Sequence, residues 1–282
     1  MGVAFLRHDS QGDFIRGRQM RANTSRGLRL AFDAAAEVYD LGRPSFDAAL
    51  LRPMLDQAGL KPGDLVLEIG AGSGQLTGGL LEAELQVTAL EPGGRLAERL
   101  AQKFAAPDRL AVIQASFEDY APDQRFAAVL ASNAFHWVDP EVSYAKAWAA
   151  LAPMGSLCLI WNFPILADAV LQAKINDQVF VEALAQLGRD PATFRAGLDG
   201  VIEAGHRELA ETELYAQPWT CWIDRRLPLT LDAYIDLQAS YANTVGARDR
   251  LDAGLRSLLG AQDRVEVLDH VYLSAARRRS LS

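Results

Sequence analysis

What this chain lacks already removes several kinds of protein. Only two of its 282 residues are cysteine, Cys158 and Cys221, far apart and without Cys-x-x-Cys spacing. Neither a disulfide framework nor a structural zinc site is indicated, so a reducing cytoplasm is the expected compartment. No apolar run approaches the roughly 20 residues needed to cross a bilayer. The longest, at 65–69 and 155–161, are strand-sized, and no membrane partner is expected. No secretory leader is expected, because residues 3–6 are too short an apolar core and Arg7, Arg16, Arg18, Arg21, Arg26 and Arg29 interrupt the next stretch of chain. The four histidines, His8, His136, His206 and His270, are scattered without metal-ligand spacing. No metal is expected, and His8, His206 and His270 read as surface groups.

The residues that are present describe a globular chain: half of it is apolar, 23% is charged and the mean hydropathy is zero. The net charge of −8 repels phosphates and disfavours a nucleic-acid partner. Charge is unevenly placed. Residues 1–30 carry +4, which leaves −12 on the remainder. Two readings of this basic arm stand side by side: a segment that folds over its own body or a second subunit, and a tail with no role. Monomer and homodimer are both compatible with it.

From residue 65 onward, short apolar runs alternate with helical patterns. Strands are expected at 65–69, 87–91, 110–115, 126–132 and 156–161. Helices are expected at 46–58, 75–84, 94–105 and 142–151, the first introduced by Pro44. This alternation means an α/β fold, a doubly wound and mostly parallel sheet. The rhythm then breaks. Residues 167–187 and 191–204 read as helical, 214–223 as strand, 231–259 as helical and 265–275 as a last strand. We expect one domain over 31–282, with residues 163–210 as a helical insertion forming a substrate cap.

Glu68-Ile69-Gly70-Ala71-Gly72-Ser73-Gly74 follows a strand and opens a helix, at the strand end where open α/β sheets bind ligands. The spacing departs from the dinucleotide fingerprint, whose third glycine would fall on Gln75. Glu91, followed by the Pro92-Gly93 turn, ends the next strand; a carboxylate there can accept both hydroxyls of a ribose. Ser116 and Phe117 follow the third strand and offer a hydroxyl and a ring to an adenine.

These strand ends resemble class I S-adenosylmethionine-dependent methyltransferases. Residues 36–40 with Arg43-Pro44, and Ser132-Asn133-Ala134-Phe135-His136-Trp137-Val138-Asp139, are most similar to the small-molecule group that includes trans-aconitate methyltransferase. The resemblance covers 32–162 well and the rest loosely. It implies a Rossmann-like, seven-stranded sheet whose last strand runs antiparallel. It also implies S-adenosyl-L-methionine as cofactor, with Glu68 near its methionine end and Gly70, Ala71, Gly72 and Gly74 beneath it. Glu91 and Pro92 would meet the ribose, Ser116 and Phe117 the adenine, and Asn133 the cofactor from the fourth strand. Tyr39 and Arg43 would close over it, Arg43 toward its carboxylate.

His136 is the candidate general base, with Asp139 orienting its ring or acting itself; simple packing against Trp137 is the other role open to it. Trp137, Trp161, Trp219 and Trp222 are candidates for the wall of a pocket that takes a small-molecule acceptor, and equally candidates for core. A nicotinamide oxidoreductase is the enzyme alternative, disfavoured by Gln75. A cofactor-binding regulator without catalysis is the alternative from another class.

Overall fold

The computed structural model describes Asp33, Ala36, Asp40 and residues 42–280, apart from 105, 107, 189–190, 242–243 and 261. The basic arm of residues 1–30 and Tyr39 lie outside the described residues.

Helix α1 (Ala48–Ala58) starts two residues later than its apolar pattern suggests, because Asp47 rather than Pro44 sets the boundary. The Asp47 carboxylate accepts the Leu50 N–H at 2.8 Å, satisfying one of the donors that a helix start leaves unpaired. The strands and helices then alternate: β1 (Leu65–Ile69), α2 (Thr77–Glu82), β2 (Gln86–Leu90), α3 (Gly94–Lys103), β3 (Leu110–Ile113), β4 (Phe126–Ser132), α4 (Pro140–Ala150) and β5 (Leu151–Leu166). The later elements are α5 (Ala169–Ile175), α6 (Val181–Gln186), α7 (Pro191–Glu211), β6 (Trp219–Thr230), α8 (Leu231–Ala239), α9 (Arg248–Leu259) and β7 (Arg264–Arg277).

The sheet order is β3-β2-β1-β4-β5-β7-β6. Its first five strands are parallel, and β7 runs antiparallel to both neighbours. The expected seven-stranded α/β sheet is therefore present. Because β1 and β4 are adjacent while their connections leave in opposite directions, the carboxyl ends of these two strands flank the crevice where such sheets bind ligands.

Burial on both faces explains why these strands read as unbroken apolar runs. On one face Val66, Leu130, Cys158 and Ile160 pack with Leu51 and Leu55 of α1 and Leu80 of α2. On the other, Leu67, Val129 and Leu159 pack with Tyr144 and Ala147 of α4 and Ile202 and Leu209 of α7. Strand β5 is longer than its sequence pattern, and beyond β4 it pairs only with β7, as far as Leu166 opposite Val267.

The region expected to form one insertion divides in two, and residues 163–166 belong to β5. Helices α5 and α6, joined by a π-helical turn at Asn176–Phe180, pack with α8, α9 and the far ends of β5 and β7 into a third core around Ile175, Phe180, Tyr234, Leu251 and Val267. Helix α7 instead lies on the sheet beside α4 and runs to Glu211, past the expected end. The helical stretch expected at 231–259 is two helices, separated by a turn at Gly246 with φ of 94°. Strand β6 starts after Pro218; upstream, Tyr215 makes only a single bridge to Arg278.

Close approach fixes one glycine. A Cβ on Gly79 would sit 2.2 Å from the Phe46 carbonyl oxygen and 2.8 Å from Leu51 Cδ1. Gly79→Ala gains about 1 kcal/mol of helix propensity but must push α2 off α1, an overpacking cost of about 1–3 kcal/mol. The cost should win. Urea denaturation is expected to show a lower midpoint for Gly79→Ala; an unchanged or higher midpoint would show that the α1–α2 contact yields freely.

Candidate functional site

The glycine loop between β1 and α2 meets the turn after β4 at contact distance. Gly70 has φ of 65°, and a Cβ there would lie 2.6 Å from Ala134 Cβ, so both backbone conformation and space demand glycine. Across the crevice Asn133 also takes a left-handed conformation, φ 50°, which asparagine tolerates better than most residues. Glu91 joins this loop to the next. One carboxylate oxygen accepts the Gly72 N–H and the other the Gly93 N–H, both at 2.8 Å. Ala71 donates its N–H to Leu90, Gly74 to Ala71, and Pro92 sits half-buried at the turn after β2.

Glu68 is the second carboxyl of the crevice, and its environment is different. Its carboxyl accepts the Thr77 hydroxyl at 2.6 Å. Burial pushes its pKa up to about 8; the Thr77 hydrogen bond opposes the rise and the charge of Glu91 adds to it. Glu68 is therefore largely protonated at neutral pH while Glu91 holds two backbone donors. Glu68, Gly70, Asn133, Asn162, Phe46 and Arg43 line a narrow cleft partly open to solvent. Arg43 reaches it as the sequence suggested, but its guanidinium is held by the Ser240 carbonyl at 3.0 Å and stacks 4.2 Å from the Tyr241 ring.

A chain of polar side chains backs this cleft, and sequence reasoning did not find it. Asn133 Nδ2 donates to Asn162 Oδ1 at 2.6 Å, and Asn162 Nδ2 donates to Asp269 at 3.0 Å. Arg225 Nε donates to the other Asp269 oxygen at 2.9 Å, and its Nη1 to the Ser45 carbonyl at 2.8 Å. The chain thus runs from β4 through β5, β7 and β6 to the segment before α1. A charged Asp269 inside an apolar strand was the available signal; Arg225 had none, since only strand pairing brings it near.

Asp33 and Asp40 extend the site on the other side. Asp33 caps α3 by accepting the N–H groups of Arg95 and Leu96, at 2.8 and 3.2 Å, and Asp40 pairs with Arg99 and Lys103.

The corner after β3 departs from expectation. The Ser116 hydroxyl donates to Asp119 at 2.7 Å and accepts the Asp119 N–H, so it closes its own turn. Phe117 is buried in the core with Leu90, not open as a platform. Neither group stands ready for an adenine, because local turn chemistry and core packing occupy them.

His136 lies in a 3-10 turn, Phe135–Trp137, with its ring 4.8 Å from that of Trp137. Trp161 Nε1 donates to His136 Nδ1 at 3.4 Å. Asp139 does not orient this ring; its carboxylate caps α4 by accepting the Glu141 N–H at 2.9 Å. Trp161, Tyr272 and Trp222 stand side by side on β5, β7 and β6, in direct register, with centroid separations of 6.1 and 4.9 Å. Trp222 is 55% exposed, whereas Trp161 is buried. Trp219, three residues from Trp222, points to the opposite face and packs with Cys221 and Ile223 on the α1 side. The period of two in a strand separates the two tryptophans, so Trp219 cannot share a wall with Trp222. His206 is not a surface group: from α7 it is hydrogen-bonded to the Tyr272 hydroxyl, and burial lowers its pKa. Among the described residues no cluster of histidine, cysteine and carboxylate side chains could hold a metal, and no helix is long and apolar enough to cross a membrane.

Residues 66–155 match the model of a methyltransferase domain. The chain is 34% identical over 137 residues to an uncharacterized methyltransferase of Mycobacterium tuberculosis, covering 49% of this chain and 54% of that protein. An uncharacterized methyltransferase of Schizosaccharomyces pombe is 26% identical over 125 residues, 44% and 49% of the two chains. A 54-residue stretch is 52% identical to part of the ribosomal RNA small subunit methyltransferase A of Leifsonia xyli, 19% of each. The chain thus spans about half the length of the first two relatives. The solved structure of a type II methyltransferase candidate from Anaeromyxobacter dehalogenans aligns with a TM-score of 0.58 at 21% identity, covering 83% of this chain and 97% of that one. The sheet order and this alignment give the chain a Rossmann-like methyltransferase fold, and residues 66–155 resemble a methyltransferase domain.

The proton on Glu68 has a measurable consequence. The unfolded chain releases it near the ordinary value of 4.5, whereas the folded protein holds it to about 8. The stabilisation from this group is complete below 4.5 and is lost as pH rises through 8. Glu68→Gln, a neutral isostere, should remove that loss. Thermal melts from pH 5 to 9 are expected to show wild type losing stability relative to Glu68→Gln as pH rises; parallel curves would mean Glu68 is ionised throughout.

Proposed function

We propose that this chain transfers a methyl group from S-adenosyl-L-methionine to a small-molecule acceptor. The observation that carries this reading is the pair of carboxyl groups in one crevice: Glu91 accepts the N–H groups of Gly72 and Gly93, and buried Glu68 beside it accepts the Thr77 hydroxyl.

The residues fit the cofactor. Gly70, Ala71, Gly72 and Gly74 present backbone without bulky side chains, and Glu91 follows β2 at the strand end where a carboxylate suits the hydroxyls of a ribose. Glu68 faces the cleft where an ammonium group would draw its proton away, and Arg43 lines the same cleft and suits a carboxylate. When bound, the cofactor supplies a methyl group on a sulfonium sulfur, which leaves as a neutral thioether. Asn133, held by Asn162 and Asp269, fixes the backbone after β4 at the floor of the cleft. Transfer of this kind depends on alignment and exclusion of water. Trp222, exposed beside the buried rings of Tyr272 and Trp161, offers flat apolar surface, which supports an acceptor that is itself flat or apolar. The acidic chain, and a fourth strand that ends in Ser-Asn-Ala-Phe-His-Trp instead of a base-flipping motif, argue against a nucleic acid.

Calorimetry with S-adenosylmethionine and S-adenosylhomocysteine, with NADH as control, tests the reading. Both sulfur ligands should bind and NADH should not; binding of NADH alone would make the protein a nicotinamide enzyme. Glu91→Ala removes two charge-assisted contacts of about 1.5–3 kcal/mol each, so affinity should fall roughly 10²- to 10⁴-fold. Affinity should also rise with pH through about 8, because a bound cation favours ionised Glu68. Turnover in a metabolite extract, followed as S-adenosylhomocysteine, separates an enzyme from a cofactor-binding regulator.

A further inference from the structure

The floor of the cleft hangs on a hydrogen-bond chain whose direction is dictated at both ends. Strand β4 ends at Ser132, opposite Ile160. Asn133 follows, and its N–H still donates to the Ile160 carbonyl at 2.9 Å. In a regular parallel ladder the Asn133 carbonyl would next accept the Asn162 N–H. Here the side-chain Oδ1 accepts it instead, at 3.3 Å. The side chain takes over one rung of the ladder, which lets the backbone turn away at φ 50° and set Ala134 against Gly70.

The Asn162 N–H is a donor only, so the Asn133 atom facing it is the oxygen, and the Asn133 amide nitrogen is left for Asn162 Oδ1, at 2.6 Å. From the other end, the two oxygens of fully buried Asp269 face two donors, Asn162 Nδ2 at 3.0 Å and Arg225 Nε at 2.9 Å. A carboxylate only accepts, so Asn162 turns its nitrogen to Asp269 and its oxygen to Asn133. The two ends demand the same orientation. An amide at position 269 would set its own NH₂ group against one of the two donors. Arg225 carries the chain onward: Nη1 donates to the Ser45 carbonyl at 2.8 Å, and the guanidinium lies 5.5 Å from the Phe46 ring. Pro44 and Phe46, on either side of Ser45, line the cleft, as Asn133 and Asn162 do.

We propose that Asp269 and Arg225 are positioning residues of the cofactor cleft. The carboxylate turns the amides of Asn162 and Asn133 one way, and the guanidinium ties that floor to the wall at 44–46. The ligand of this cleft rests on the methyl-transfer reading, whereas the orientation of the amides can be read in the protein alone.

The test has two parts. In the full-length protein with ¹⁵N-labelled asparagine, the side-chain amides of Asn133 and Asn162 are assigned by their loss in Asn133→Asp and Asn162→Asp. Asp269→Asn should speed hydrogen exchange at both amides, including that of Asn133, which is linked to Asp269 only through Asn162. Arg225→Lys keeps the charge but loses the fork that spans Asp269 and Ser45, and it should speed the same exchange; it carries both readouts should Asp269→Asn not fold. An Asn133 amide indifferent to these variants overturns the proposal, even if methyl transfer is real. In calorimetry with S-adenosylhomocysteine, each variant should bind roughly tenfold more weakly than wild type. The double variant should lose no more than the weaker of the two single ones, because both act on one chain. Wild-type affinity in the folded variants, or losses that simply add, overturns it. A wild-type protein that binds no S-adenosylhomocysteine, but whose Asn133 amide responds to Asp269→Asn, instead removes the methyl-transfer reading and leaves the relay standing.

Discussion

The carboxylate of Glu91 is the point on which the crevice depends. Parallel strands deliver their connecting loops to one edge of the sheet, where backbone N–H groups turn inward without a ladder partner. Gly72 and Gly93 both face that problem, and Glu91 answers it for both. Burial above all pushes its neighbour Glu68 toward the neutral form, and the nearby carboxylate adds to it. Glu68, enclosed and close to a fixed negative charge, keeps its proton. A single crevice thereby contains one anion with organised donors and one neutral acid able to release a proton when a cation arrives. That division of labour follows from position alone, since the two residues have the same side chain.

A second constraint is the overhang of β5 and β7 above β4. Where the central strand stops, the pleat continues, and alternate residues of these two strands serve different purposes. Asn162 and Asp269 turn to the α1 side and join Arg225 in a polar chain that ends on the Ser45 carbonyl. Trp161 and Tyr272 turn to the α7 side and meet His136, His206 and Trp222. One sheet edge thus has a hydrogen-bonded face toward the cofactor cleft and an aromatic face toward α7.

The helices added after β5 are not a uniform lid. Helices α5 and α6 bury their apolar side chains against α8 and α9 and against the far ends of β5 and β7, at Leu166, Val265 and Val267. Helix α7 is tied to the sheet and to α4, through Tyr144, whose hydroxyl donates to the Gly205 carbonyl at 3.2 Å.

The strand rhythm, the glycine loop and the carboxylates Glu68 and Glu91 were legible in the amino-acid sequence because each is a local feature. Apolar runs buried on both faces lose their alternation, and a loop that needs positive φ at Gly70 must spell it with glycine. What the side chains do once placed was not legible. Ser116 and Asp139 had the right chemistry at the right strand ends, yet each is occupied by a backbone N–H two or three residues on. Trp219 and Trp222 looked equivalent until the pleat put them on opposite faces. Asn162, Asp269 and Arg225 are separated by up to 107 residues and become partners only through the pairing of β5, β7 and β6. Local backbone demands leave their mark on the residues that meet them, whereas a hydrogen bond between distant strands leaves no trace until the register of the sheet is fixed.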